Sequence, residues 1–114
     1  MYFPVNTKMM SQKIEYISSM KIIWTTEAKE TYKSNIRYLK KKWTFREIEK
    51  FTNEVNDTLT KLRKLPELGK YDSIWECRKF VIVKQITLFY DIVDNGDALV
   101  LYSFWNNYKK PLED

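Results

Sequence analysis

A change of hydrophobic period at Gly69 constrains this chain more than any other feature. Before Gly69, apolar residues recur every three or four positions; after it, every second position. The first spacing aligns side chains on one face of a helix and the second on one face of a strand, so a helical half precedes a sheet half. Ala28, Tyr32, Ile36, Leu39 and Trp43 form one stripe and predict a helix over 27–42. Thr25-Thr26-Glu27 opens it with a threonine cap and an acid in the first turn. Thr44 and Glu47 have capping-box spacing. They begin a second stripe of Ile48, Phe51, Val55, Leu59, Leu62 and Leu65, which Pro66 and Gly69 terminate. With so short a connection, the two helices form an antiparallel hairpin.

One strand, 21–24, precedes the hairpin, and three follow it, over 75–83, 86–93 and 98–105. Lys84-Gln85 joins the first two of these. Asp94-Asn95-Gly96-Asp97 joins the last two, and its Asn-Gly pair favours a type I′ turn. The predicted order is β-α-α-β-β-β, an α+β fold with the hairpin on one face of an antiparallel sheet. Strict alternation puts Ile86, Leu88, Tyr90 and Ile92 towards the helices, with Thr87, Phe89, Asp91 and Val93 opposite. In the last strand it separates Ala98, Val100, Tyr102 and Phe104 from Leu99, Leu101, Ser103 and Trp105. Both sets are largely apolar. A sheet covered on one side only would alternate more cleanly, so the second face is expected to meet the N-terminal extension, another copy or a partner peptide.

With 114 residues, the chain supports one domain and one modest core. No apolar run is long enough to cross a membrane as a helix. The expected division is an extension over 1–19, poorly ordered or adding an edge strand, a domain over 20–111, and a tail over 112–114. The chain has one cysteine, Cys77, which reads as a small apolar strand residue of a cytoplasmic protein. It has no histidine, which excludes tetrahedral zinc sites and His-based triads; no metal or cofactor is expected. Any catalysis falls to Lys, Arg, Tyr or carboxylates. The net charge is +5 and uneven: residues 20–69 carry twelve basic and seven acidic side chains, and residues 70–114 six and seven. The basic excess therefore lies on the helices, as a solvated surface or as an attraction for nucleic acid or an acidic protein.

Four stretches together resemble the RelE/ParE toxin superfamily, the toxin halves of bacterial type II toxin–antitoxin pairs. They are residues 21–28; Trp43 with Glu47, Phe51, Leu59, Leu62, Pro66 and Gly69; residues 77–82, a strand opening with Arg78; and residues 87–92 with the ending 103–111. The resemblance covers about residues 20–111. It implies a toxin acting in plasmid stabilisation and growth inhibition, neutralised by a cognate antitoxin that wraps it with a helix and an extended segment. Its partners would be that antitoxin, then DNA gyrase or ribosome-bound mRNA, in a homodimer or a toxin–antitoxin heterotetramer, with no membrane.

Within that superfamily, ParE-like members inhibit DNA gyrase without catalysis, and RelE-like members cut mRNA on the ribosome. Metal-free RNA cleavage needs a base, an acid and cations around the phosphorane. The candidates here are Arg78 and Tyr90, which match the family's strand Arg and Tyr, with Lys84 and Tyr108. Asp91 stands where the nuclease branch often has Arg, and an acid there repels phosphate. The ParE-like reading is therefore favoured, with the nuclease, or a member that only binds its antitoxin, as alternatives. Phe89 and Trp105 on the second face, with Asn107 and Lys109 from the ending, are the expected partner-binding residues. Each pick has a plainer role beside it: an ion pair from Arg78 to Glu76 or Asp91, a core position for Tyr90, a packing anchor for Trp105.

Overall fold

The computed structural model describes residues 20–42 and 44–108. The expectations for residues 1–19, Trp43, Lys109 and the tail lie outside them. Strand β1 (Lys21–Trp24) leads into helices α1 (Thr26–Lys42) and α2 (Phe45–Lys64). A 3₁₀ turn (Pro66–Leu68) then leads to β2 (Lys70–Asp72), β3 (Cys77–Val83), β4 (Ile86–Val93) and β5 (Ala98–Asn106). The strands form one sheet in the order β1-β5-β4-β3-β2. All neighbours are antiparallel except β1, which runs parallel to β5.

The helix starts follow their local chemistry. The Ala28 N–H donates to Thr25 Oγ1 at 3.0 Å, capping α1. At α2 the box closes both ways: the Glu47 N–H donates to Thr44 Oγ1 and the Thr44 N–H to Glu47 Oε1. Leu65, expected in the second stripe, is instead the exposed C-cap residue. The β4–β5 turn is the type I′ expected from Asn95-Gly96: φ is 58° and 92°, and the Asp97 N–H donates to Asp94 O at 3.1 Å.

Three expectations for the sheet change. Strand β2 was not anticipated, because three residues are too few to display a period. The strand expected from residue 75 begins at Cys77; residues 73–76 form a turn that leaves Trp75 64% exposed. The faces of β5 do not alternate strictly either. Leu99 and Leu101 pair with Ile92 and Tyr90, but Leu88 pairs with Phe104 and Phe89 with Ser103, so Tyr102 is an extra, bulged residue. Beyond it the parity reverses. Leu99, Leu101, Phe104 and Asn106 face the helices, while Val100, Ser103 and Trp105 face away.

The core lies between this inner face and the hairpin. Phe51, Val55 and Leu62 of α2, and Ala28 and Leu39 of α1, are buried against Ile86, Leu88, Tyr90, Leu99, Leu101 and Phe104. Each large side chain contributes roughly 1.5–3 kcal/mol by leaving water. Trp24, Tyr32, Phe51 and Phe104 form one aromatic cluster, with ring centroids 5.4–6.5 Å apart.

A polar seam joins α1 to β5 where β1 ends. Thr25 Oγ1 donates to Leu101 O at 2.8 Å. The Phe104 N–H donates to Thr31 Oγ1 at 3.0 Å, and Asn35 Nδ2 donates to Phe104 O at 2.8 Å. Asn106 Nδ2 donates to Asn35 Oδ1 at 3.2 Å. Asn35 is 5% exposed, so its partners have no ready access to water in its place. Replacing Asn35 with Ala strands a buried carbonyl and the Asn106 amide. Asn35→Ala is expected to cost about 2–3 kcal/mol, read by chemical denaturation, whereas alanine at exposed Lys33 changes stability by less than about 0.5 kcal/mol.

Candidate functional site

The four catalytic candidates do not converge. Arg78 and Tyr90 are cross-strand partners on β3 and β4. Both are directed at the connection between α2 and β2. The Gly69 N–H donates to Tyr90 Oη at 2.8 Å, and Tyr90 Oη donates to Pro66 O at 2.7 Å. Arg78 Nη1 donates to Gly69 O at 2.9 Å and, at 3.4 Å, to Glu67 O. Arg78 thus meets carbonyls rather than the carboxylates of Glu76 or Asp91. Tyr90 is fully buried. Burial pushes its phenol above the ordinary range; the Gly69 hydrogen bond and the Arg78 charge only partly oppose this.

Gly69 completes this lock. A Cβ there would lie 2.5 Å from Tyr90 Oη, 2.6 Å from Tyr90 Cε1 and 2.9 Å from Lys79 O. Its φ of −71° suits any residue, so glycine is required by close approach and not by backbone freedom.

Lys84 and Tyr108 lie beyond the Ile86 end of β4, four residues or roughly 13 Å along the strand from Tyr90. Lys84 lines a cleft of about 530 Å³ with Glu47, Lys50 and Glu54. Tyr108 is 59% exposed just past β5, its N–H donating to Asn106 Oδ1 at 2.9 Å. Asn107, expected to bind a partner, closes this end of the sheet. It accepts from Thr87 Oγ1 at 3.2 Å and donates to the carbonyls of Lys84 and Gln85.

The outer face of the sheet gathers a different set. The bulge turns Trp105 outwards beside Thr87, one pair from Phe89 and Ser103. The β2–β3 turn brings Trp75 to Phe89, with ring centroids 6.0 Å apart. These side chains, with Tyr102, Cys77, Ser103, Glu27 and Glu76, line a groove of about 520 Å³. Asp72 builds the turn: Oδ1 accepts from the Ile74 and Trp75 N–H groups at 2.9 and 3.1 Å, and Oδ2 accepts from Lys79 Nζ at 2.9 Å. The Lys79 and backbone hydrogen bonds hold the Asp72 carboxyl below the usual carboxylate range. The turn closes through Glu76 at φ 55°, a left-handed conformation that costs a non-glycine residue about 1–2 kcal/mol. Sequence reasoning identified Phe89 and Trp105. It missed Trp75 and Tyr102, placed here by a turn and a bulge.

A helix hairpin on one face of a mostly antiparallel sheet, with the other face open and aromatic, defines an α+β protein of RelE/ParE type. Among curated proteins no match is found. The family model of the ParE toxin of type II toxin-antitoxin system, parDE, matches residues 22–106. The chain belongs to that family, and the family implies an antitoxin partner. No helix among the described residues is long and apolar enough to cross a membrane.

Two outcomes follow from the Gly69 lock. Gly69→Ala is expected to lower stability by about 2 kcal/mol or more, because the obstacles are backbone and a ring held on both sides. Tyr90→Phe leaves the Gly69 N–H and Pro66 O without their partner and costs about 1–3 kcal/mol. The raised phenol also sets a sign. The folded state keeps the Tyr90 proton after the unfolded chain begins to lose it, so this stability is complete below pH 10.0, the ordinary phenol value, and is lost as pH rises further. Tyr32 and Tyr102 shift in the same direction through burial. Stability read by chemical denaturation between about pH 8 and 11 is therefore expected to fall less steeply in Tyr90→Phe, without becoming independent of pH.

Proposed function

We propose that this ParE-family toxin arrests growth by binding its target, with DNA gyrase as that target, and that its antitoxin neutralises it by covering the outer face of the sheet. The observation that carries the non-catalytic reading is the lock at Gly69. The Tyr90 hydroxyl is committed to the Pro66 and Gly69 backbone and Arg78 Nη1 to the Gly69 carbonyl, while Lys84 and Tyr108 lie beyond the opposite end of β4. A ribonuclease needs base, acid and cation around one phosphate. The Asp91 carboxylate, on the opposite face of β4, still acts on the Tyr90 phenol through its charge and adds to the repulsion of a phosphate there.

Antitoxin docking on the outer face is supported by its exposed aromatic side chains. Trp75, Tyr102 and Trp105 are 64%, 39% and 40% exposed around one groove. Exposed aromatics gathered in this way are a costly surface for a lone domain and a usual centre for a protein interface. Location in the cytoplasm and a part in plasmid stabilisation belong to this reading.

Alanine at Arg78 confounds the test, because it also removes bonds to the α2–β2 connection. The direct test uses the unaltered chain. Purified protein is expected to inhibit gyrase supercoiling and to leave mRNA intact on translating ribosomes. Ribosome-dependent cleavage without gyrase inhibition would overturn the target-binding reading. For the docking face, Phe89→Ser and Trp105→Ser are expected to keep growth arrest while escaping rescue by the antitoxin, which the neighbouring gene is expected to encode. Their melting temperatures are expected to stay within a few degrees of the parent, since both residues lie on the open face.

A further inference from the structure

The outer groove differs from the helix surface in charge as well as in shape. Its lining has two carboxylates, Glu27 and Glu76, and no lysine or arginine. Glu27 comes from the first turn of α1 and Glu76 from the β2–β3 turn, and neither has an ion-pair partner among the described residues. The nearest cation in register, Lys79 opposite Phe89, is held by Asp72. Asp91 points to the same face from β4. Burial raises the Cys77 thiol and the Tyr102 phenol, and the charge of Asp91 raises both further. Glycine would satisfy the turn at Glu76 without strain, so turn geometry does not call for the carboxylate.

Four aromatic rings and two carboxylates around one groove suit a cation with an apolar stem. Indole, phenol and phenyl faces attract a cation through the ring quadrupole, and a carboxylate adds a charge-assisted hydrogen bond. Phosphate is repelled there, which excludes a nucleic-acid backbone. A second copy meeting this face symmetrically would set Glu27 and Glu76 against the same carboxylates.

We propose that the groove binds a lysine or arginine side chain flanked by large apolar residues, presented by a segment of the antitoxin polypeptide. The proposal rests on the reading that the antitoxin covers this face. A partner that also meets the basic helices then carries two opposite charges in different places, acidic over α1 and α2 and basic at the sheet.

The test uses two synthetic probes and the full chain: acetyl-Ser-Leu-Arg-Phe-Ser-amide and the same peptide with Glu in place of Arg. Binding is followed by NMR at the Trp75 and Trp105 indoles and the Phe89 and Ser103 amides. The Arg peptide is expected to bind about ten-fold tighter than its Glu counterpart and to move these signals. The double variant Glu27→Gln, Glu76→Gln, compared well below its own melting temperature, is expected to lose that preference. Equal affinities, preference for the Glu peptide, or no shift at the groove up to the peptides' solubility would overturn the proposal. Rescue by the antitoxin separates the two levels. If Phe89→Ser and Trp105→Ser escape rescue but the peptides show no charge preference, the face stands and the anchor chemistry falls. If those variants are still rescued, the face falls and this proposal with it.

Discussion

The single extra residue in β5 governs how this sheet meets everything around it. Tyr102 resets the alternation, so that Phe104 enters the core and Trp105 leaves it. Were Tyr102 paired in regular alternation instead of bulged, Ser103 and Trp105 would face the hairpin and the aromatic cluster around Trp24, Tyr32 and Phe51 would lose its fourth ring. The bulge also falls where β1 stops pairing with β5, at Leu101. There the edge of β5 would present unpaired backbone groups. Thr25, Thr31 and Asn35 of the α1 segment supply those bonds from side chains. One irregularity therefore sets the composition of the core, the docking of α1 and the aromatic character of the open face.

The connection from α2 to the sheet shows a second economy. Arg78 and Tyr90 are the residues that the resemblance makes candidates for chemistry. In this chain their polar atoms hold Pro66, Glu67 and Gly69, and Gly69 approaches so closely that no side chain fits between. A motif match carries a residue type and its place in a strand. It does not carry the partners of the side chain, and those partners decide whether a phenol is a base or a strut.

What was legible in the sequence was local. The threonine caps, the helix stripes from Ala28 to Leu39 and from Ile48 to Leu62, strand 86–93 and the Asn-Gly turn depend on residues within a few positions of one another, and all are present. The features that escaped depend on distant chain. Strand β2 exists because β3 offers an edge, and Trp75 leaves its expected strand because Asp72 captures the turn. The bulge is invisible in an alternation of apolar residues, since both faces of β5 read as apolar whichever parity is chosen. For the same reason Phe89 and Trp105 were reachable from sequence, whereas Trp75, Tyr102 and the acidic rim were not.

The two surfaces of the domain also differ in what they can hold. The hairpin carries most of the positive charge on exposed side chains, including Lys40, Lys41 and Lys42 in the last turn of α1, where the helix dipole favours them. Such a surface accelerates encounter with an acidic partner, but screening by salt leaves it little grip. The outer sheet face offers the reverse: few mobile charges, several large rings, and carboxylates on a turn fixed by Asp72. Aromatic burial is insensitive to salt and slow to release. On the proposed reading, charge on the helices serves approach to the antitoxin, and the sheet face serves retention. The closing lock at Gly69 sits between them, joining the end of α2 to the strands that carry the groove, so Arg78, Tyr90 and the absence of a side chain at Gly69 add to the core in fixing the orientation of one surface to the other.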